Sequence, residues 1–347
     1  MTGNEAIAEA AIQAGCQHFF GYPITPQSEI PEYMSKRLPE IGGIYLQAES
    51  EVAAINMLFG AAGAGVRVMT SSSSPGISLM QEGISYIAGA QLPCVIVNIM
   101  RGGPGLGGIQ PSQSDYFQAT KGGGHGDYHM LVLAPHTVQE AVSLTMEAFD
   151  LADTYRNPVM ILGDGYMGQM MEPVEFYKTS SPNLPPKDWA LTGAKGRSAN
   201  LVKSLYLDPE ALEKHNLEIN RKIQKMRKDE VRVENYQTDD AEVIIAAYGT
   251  VARICKTAIK VLRDKGIKAG MIRPITVFPF PYNDFEKLAD KMRKFLVVEM
   301  SLGQMIEDVK LGLCGKAQIS FYGRTGGMVP SYDEIVTETE KLVKEVG

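Results

Sequence analysis

An α/β fold made of two open, mostly parallel sheets is predicted by two features of this 347-residue chain. Short apolar runs alternate with amphipathic helical patterns through the first half and again after Ala241, the pattern of βαβ units. Between these stretches the composition turns polar, with the turn-rich SSPNLPP followed by a segment dense in Lys, Arg and Glu. The expected boundaries are a first unit over residues 1–178, a linker with a polar helix over 179–240, and a second unit over 241–347. No internal repeat relates the two units.

Taken in order, Glu5 and Glu9 sit at helical spacing with Ala6, Ile7, Ala10 and Ile12. They interrupt the apolar residues, and no basic leader precedes them, so Met1 to Gly15 is not expected to be a signal peptide. Phe19 to Tyr22 reads as a strand, Gln27 to Lys36 as a helix and Ile44 to Gln47 as a strand. Glu49 to Ala64 follows as a helix, with Ala53, Ala54, Met57, Leu58 and Ala61 on one face. Val66 to Thr70 is a strand and Ile77 to Ala90 a helix. Pro93 to Met100 is a strand buried on both faces, by its continuous apolar run. Leu131 to Ala134, Val138 to Leu151 and Val159 to Leu162 continue as strand, helix and strand. Pro209 to Arg232 is a polar helix whose Leu212, Ile219, Ile223 and Met226 make a narrow apolar stripe, as in a solvated helix bridging domains. The second unit opens with a strand over Glu242 to Ala247 and a helix from Gly249 to Lys265. Strands over Lys268 to Arg273, Phe295 to Val298 and Gln318 to Phe321 follow, with helices from Gly303 and Tyr332.

Composition narrows the function classes. Hydrophobic residues make up 44% and charged residues 21%, with a net charge of −6. No basic run suggests nucleic acid, and no apolar run is long enough to span a bilayer, so a cytoplasmic protein is expected. Cys16, Cys94, Cys255 and Cys314 have neither CxxC nor cluster-ligand spacing and read as small buried thiols. The five histidines form no metal-binding pattern, so no metal site is expected on this chain.

In open parallel sheets, ligands bind at the carboxyl ends of strands. Three strand-to-helix turns there carry candidate chemistry. In GYPITPQS, two prolines stiffen the backbone and Thr25 is placed to head a helix, as a plain cap or as an anion-binding end. In AESEVAA, Glu49 and Glu51 both fall at a helix start, where they either face solvent and pair with the dipole or share a proton with a ligand nitrogen. The third is the Gly/Ser-rich material: SSSSPG (Ser71 to Gly76) and RGGPGLGG (Arg101 to Gly108). There Arg101 would grip a carboxylate or serve a structural ion pair. Neither stretch is a GxxxxGKS phosphate loop, so ATP is disfavoured.

Together YPITPQS, QAESEVAAI, SSSSPG with ISLMQEGI, LPCVIVNIMRGGPG and HGD (His125 to Asp127) resemble the α subunit of 2-oxoacid:ferredoxin oxidoreductases. The later IRPITVFPFP and YGRTGG are similar to the transketolase-C-like domain of that subunit. AESE and SSSSPG resemble the 2-oxoisovalerate (branched-chain) type. The resemblance implies a pyrimidine-binding domain for thiamine diphosphate in the first unit. It implies Mg²⁺ and diphosphate shared with a β subunit, γ/δ subunits carrying ferredoxin-like iron–sulfur clusters, ferredoxin as electron acceptor, and coenzyme A as acyl acceptor. It assigns Glu51 to the ring nitrogen N1′ of the aminopyrimidine, with Glu49 a weaker alternative. Pro23 and Ile24 are assigned to the thiamine ring, and Thr25 and Arg101 to the substrate carboxylate, while Arg324 would close the site. Gly163-Asp164-Gly165 looks like the start of the GDG…NN diphosphate signature. Its paired asparagines are missing, since Asn183 comes too early and Asn200 too late, so it reads as a turn. The alternatives are a 2-oxoglutarate-specific α subunit and a non-catalytic module that binds an acyl metabolite.

Overall fold

The structure, a computed structural model, describes residues 1–177 and 184–344. The expected boundary at 178/179, the first half of SSPNLPP and Asn183 lie outside the described residues. The first part contains strands β1 (His18–Gly21), β2 (Ile44–Gln47), β3 (Val68–Ser72), β4 (Cys94–Met100), β5 (Leu131–Leu133) and β6 (Pro158–Asp164). Its helices are α1 (Gly3–Gln13), α2 (Glu29–Glu40), α3 (Glu51–Gly63), α4 (Ser74–Gly89), α5 (Tyr116–Thr120), α6 (Val138–Tyr155), α7 (Gly165–Gln169) and α8 (Pro209–Asp229). The rest comprises β7 (Val233–Tyr236), β8 (Val243–Ala246), α9 (Gly249–Asp264), β9 (Ala269–Pro274), β10 (Thr276–Phe278), α10 (Tyr282–Ala289), β11 (Lys294–Glu299), α11 (Met305–Leu313), β12 (Gln318–Gly323) and α12 (Tyr332–Lys344).

Two mostly parallel sheets result. The larger has the order β10-β5-β6-β4-β3-β1-β2 and the smaller β12-β11-β8-β9-β7. Helix α1 packs on α2 and α6, while α3 packs on α4, and every residue of β4 is buried. A strand covered on both faces cannot alternate apolar with polar residues, which is why CVIVNIM reads as one apolar run. From β1 the chain moves outward to β2, then returns to the other side of β1 as β3 and continues to β4. The carboxyl ends of β1 and β3 therefore flank the point where the winding reverses, and the crevice of an open α/β sheet forms at such a point.

Several elements differ from the sequence expectation. Helix α2 begins at Glu29, not near Gln27, and Thr25 stays in the loop. The residue before a proline is disfavoured in the helical region, and Pro26 follows Thr25. Strand β7 replaces part of the expected linker and pairs antiparallel with β9, a partner far away in sequence. Strand β10 leaves the second unit and pairs antiparallel with β5 at the edge of the larger sheet. Three cysteines are buried, but Cys314 is exposed at the left-handed end of α11. Helix α8 buries Ile219, Ile223 and Met226 and leaves Leu212 largely exposed. Among the described residues no helix is long and apolar enough to cross a membrane.

A buried polar seam joins the sheets. Arg273 of β9 forks onto Glu140 of α6 through Nη1 at 2.9 Å and Nη2 at 2.8 Å, and its Nε meets Glu234 of β7 at 2.6 Å. His136 Nδ1 lies 2.6 Å from Glu140, and Lys256 Nζ lies 2.7 Å from Glu234. Burial alone would raise the Glu140 carboxyl. The bonds from His136 and Arg273 outweigh it and hold the group at about 2, against an ordinary 4.5. A carboxyl depressed on folding contributes stability that is present above pH 4.5 and lost as the pH falls toward 2. Arg273→Met is expected to cost about 3–5 kcal/mol in urea unfolding at pH 7. The penalty should shrink as the pH falls from 4.5 toward 2, by the part of the depression that Arg273 rather than His136 supplies. An equal penalty at both ends of that range would contradict this account.

Candidate functional site

The site is assembled around the turn from β3 into α4. Ser71 and Ser72 end β3, and Ser74 opens α4. Ser71 donates to Gln27 Oε1 at 2.5 Å, which ties the turn to the loop after β1. Ser74 Oγ accepts from the Arg101 backbone N–H at 3.0 Å and donates to Asp115 Oδ2 at 2.6 Å. Asn98 Nδ2 donates to the same Asp115 oxygen at 2.9 Å. Burial pushes the Asp115 carboxyl above its ordinary range, against the bonds from Ser74 and Asn98.

Glu51 is the first residue of α3, behind Ser50, whose Oγ caps the helix by accepting from Ala53 N–H at 3.1 Å. Only 5% of Glu51 is exposed, and among the described residues it has no hydrogen-bond or ion-pair partner. A buried carboxylate without a partner is costly to maintain, although the helix N-terminus offsets part of the cost. Glu49 separates from it. It precedes the cap, lies outside the helix and is exposed. The expectation that both glutamates start the helix is corrected here, because the cap falls between them.

Gly76 is what admits Glu51. A Cβ there would sit 2.6 Å from Glu51 Oε1 and 2.1 Å from Ser72 Oγ, so no side chain fits without moving both.

Arg101 follows β4 and is 9% exposed. Its Nη1 donates to the Thr25 carbonyl at 2.9 Å and its Nη2 to the Leu106 carbonyl at 3.3 Å, while Nε is buried with no partner. No carboxylate among the described residues pairs with it. A guanidinium held by two carbonyls and no anion keeps its charge uncompensated by any neighbouring carboxylate among the described residues. Thr25 therefore reaches Arg101 through its backbone. Its position as a helix cap is overturned, since α2 starts four residues later. Asn4 fixes the same loop by donating to the Pro26 carbonyl at 2.8 Å. Pro23 on that loop is exposed and Ile24 half-buried.

Further polar atoms of β3, β4 and the turn into α4 lack partners among the described residues: the hydroxyls of Thr70, Ser72 and Ser73 and Asn98 Oδ1. Native interiors hold few such atoms, and their concentration here marks a surface built for a ligand. Asp115 carries no sequence signal. Asn98 does, as the one polar residue in CVIVNIM. Arg324 is engaged elsewhere, 2.5 Å from Glu334. It is its neighbour Gly327 that approaches the site, where a Cβ would fall 2.4 Å from Gln110 Cβ. Asp164 of GDG ends β6 and caps α7, accepting from the N–H groups of Tyr166 and Met167 at 2.9 and 3.1 Å. His125 lies edge-on to Tyr86, away from this group. Cavities of about 240, 500 and 740 Å³ share no residue with the site. Among the described residues no group of three His, Cys, Asp or Glu could hold a metal ion.

Comparison with known proteins adds chemistry to this geometry. Residues 9–248 match the thiamine-diphosphate-binding domain of pyruvate flavodoxin/ferredoxin oxidoreductases, and residues 241–335 match core domain II of pyruvate:ferredoxin oxidoreductase. The chain is 51% identical over 340 residues to the ketoisovalerate oxidoreductase subunit VorB of Methanothermobacter thermautotrophicus, covering 98% of this chain and 96% of that protein. It is 37% identical over 369 residues to the 2-oxoglutarate synthase subunit KorA of the same organism, covering 98% and 97%. Among solved structures, the 2-oxoglutarate:ferredoxin oxidoreductase of Magnetococcus marinus, with 2-oxoglutarate, coenzyme A and succinyl-CoA bound, superposes with a TM-score of 0.81 at 26% identity. That match covers 99% of this chain and 65% of the other. A split-gene transketolase matches in fold alone, with a TM-score of 0.63 at 14% identity over 99% and 98% of the two chains.

Gly76→Ala is expected to destabilise the chain by about 1–3 kcal/mol, because overpacking at this turn must displace Ser72 or Glu51. Chemical denaturation measures it, and a neutral result would show that the turn has room the geometry denies.

Proposed function

The chain belongs to the 2-oxoacid:ferredoxin oxidoreductase family, and on that premise we propose that it supplies the pyrimidine side of a shared thiamine diphosphate site. The reaction is oxidative decarboxylation of 2-oxoisovalerate to an acyl-coenzyme A, with electrons passed to ferredoxin. The single observation that carries this reading is Glu51: buried, unpartnered, and facing a glycine that leaves its carboxylate room.

When bound, thiamine diphosphate supplies the nucleophilic carbon and the electron sink for decarboxylation. The residues present fit its aminopyrimidine end. Glu51 would hydrogen-bond the ring nitrogen of the aminopyrimidine, and its burial would strengthen that bond. Pro23 and Ile24 line the ring by shape. Arg101 takes the substrate carboxylate in a bidentate grip, and the Thr25 carbonyl keeps the guanidinium in place. The GDG aspartate's use as a helix cap supports placing the diphosphate and Mg²⁺ on a partner β subunit. The separated cysteines support placing the iron–sulfur clusters on γ/δ partners. Coenzyme A and ferredoxin complete the assembly, which the composition supports as cytoplasmic. The higher identity to the ketoisovalerate subunit than to 2-oxoglutarate subunits favours the branched-chain substrate.

In the assembled enzyme, Glu51→Gln is expected to lower kcat by at least about a hundredfold. Its thermal midpoint should not fall, since no bond among the described residues is lost and a buried carboxylate is removed. Activity near the wild-type level would sink the assignment. Arg101→Gln is expected to raise KM for the 2-oxoacid roughly 10–100-fold, the value of a charge-assisted bond. A KM that does not move would remove Arg101 from the substrate. For the wild-type complex, kcat/KM for 2-oxoisovalerate should exceed that for 2-oxoglutarate, and the reverse order would establish the 2-oxoglutarate subunit instead.

A further inference from the structure

Two adjoining cavities lie at the other end of the larger sheet. Strands β4, β6 and β5 run parallel, so His129, just before β5, and Arg101, just after β4, sit at opposite ends. Beside His129, a cavity of about 500 Å³ opens between the end of α8, the β10–α10 turn and Lys121. It adjoins a cavity of about 740 Å³ between α8 and residues 126–129, and the two share Lys121, His129 and Arg227.

The first chamber is lined by four cations, Lys121, Arg227, Lys228 and Lys287, and two carboxylates, Asp284 and Asp308. Asp308 is already satisfied, with Lys121 Nζ at 2.5 Å and the Tyr116 hydroxyl at 2.6 Å. Arg227, Lys228 and Lys287 have no carboxylate partner among the described residues. The Arg227 guanidinium lies 5.4 Å from the Phe278 ring centre, and His129 stacks on Phe278 at 4.2 Å. Resting on a ring places the guanidinium at the chamber, and its donors are not claimed by a carboxylate. The second chamber differs in kind. Leu212, Leu217 and Ile223 give it an apolar wall, Asn216 and Asn220 add amides, and Asp127 and Glu213 add carboxylates that repel phosphate and can accept from a base's amino group.

We propose that these chambers bind one nucleotide, with its phosphates at Arg227 and Lys287 and its base in the second chamber. Three unpaired cations suit a multiply charged anion better than a single carboxylate. A basic chamber running into one with apolar wall and amide donors and acceptors matches a ligand with a phosphate end and a planar, hydrogen-bonding end. The proposal does not rest on the assignment of Glu51 or of the 2-oxoacid.

Isothermal titration of the full-length chain with ADP, coenzyme A, adenosine and inorganic phosphate tests it at low and moderate salt. Saturable binding of ADP or coenzyme A is expected, weakened by salt, with adenosine and phosphate each at least about tenfold weaker. Whichever of ADP and coenzyme A binds more tightly identifies the source of the nucleotide. Arg227→Gln and Lys287→Gln should each weaken that binding about tenfold or more. Asn216→Leu should weaken the nucleotide and leave phosphate unaffected. The proposal is overturned if neither nucleotide binds, if phosphate or adenosine binds as tightly, or if Arg227→Gln binds like the wild type.

Discussion

Arg273 is the side chain on which the arrangement of the two sheets depends. It is 2% exposed and reaches two carboxylates from different parts of the chain, Glu140 and Glu234. A buried guanidinium leaves little tolerance in position, because each lost bond strands a charge. Around it, β10 crosses to the edge of the larger sheet, and Gln113 exchanges bonds with the backbone of Met300 and Tyr248. The loop carrying Gly327 is thereby brought against the segment that follows Arg101. The C-terminal part is a wall of the same crevice as well as a unit in its own right.

That crevice is notable for what its residues leave unsatisfied. Elsewhere among the described residues the buried carboxylates have partners: Glu299 accepts from three backbone N–H groups at the start of α11, and Asp308 from two hydroxyls and a lysine. At the reversal of the sheet, among the described residues, Glu51 has none, Arg101 lacks an anion, and three hydroxyls are idle. A fold that pairs its charges in one region and withholds partners in another has reserved the second for something that arrives later.

Most of the fold was legible because its elements are long and strongly patterned. The run CVIVNIM, the helical face from Ala53 to Ala61 and the apolar faces of α6 and α9 needed no partner to be recognised. The elements that escaped were short or weakly patterned and depend on distant partners. VENY becomes β7 because β9 lies beside it, and TVF becomes β10 because β5 is exposed at an edge. Thr25 was misplaced as a cap because the helix-start signal competed with Pro26, and the proline prevailed.

The sequence by itself determined the class of fold, the loops that bear chemistry and the family, since these follow from periodicity and from motifs read along the chain. Tertiary structure decided which glutamate is buried, which atoms of Arg101 and Thr25 meet, and that Asp164 caps a helix. These follow from one-residue differences in cap position and from contacts between strands far apart in sequence. Glu49 and Glu51 look alike on paper. They differ because Ser50 takes the cap between them, leaving Glu49 in solvent and turning Glu51 toward Gly76.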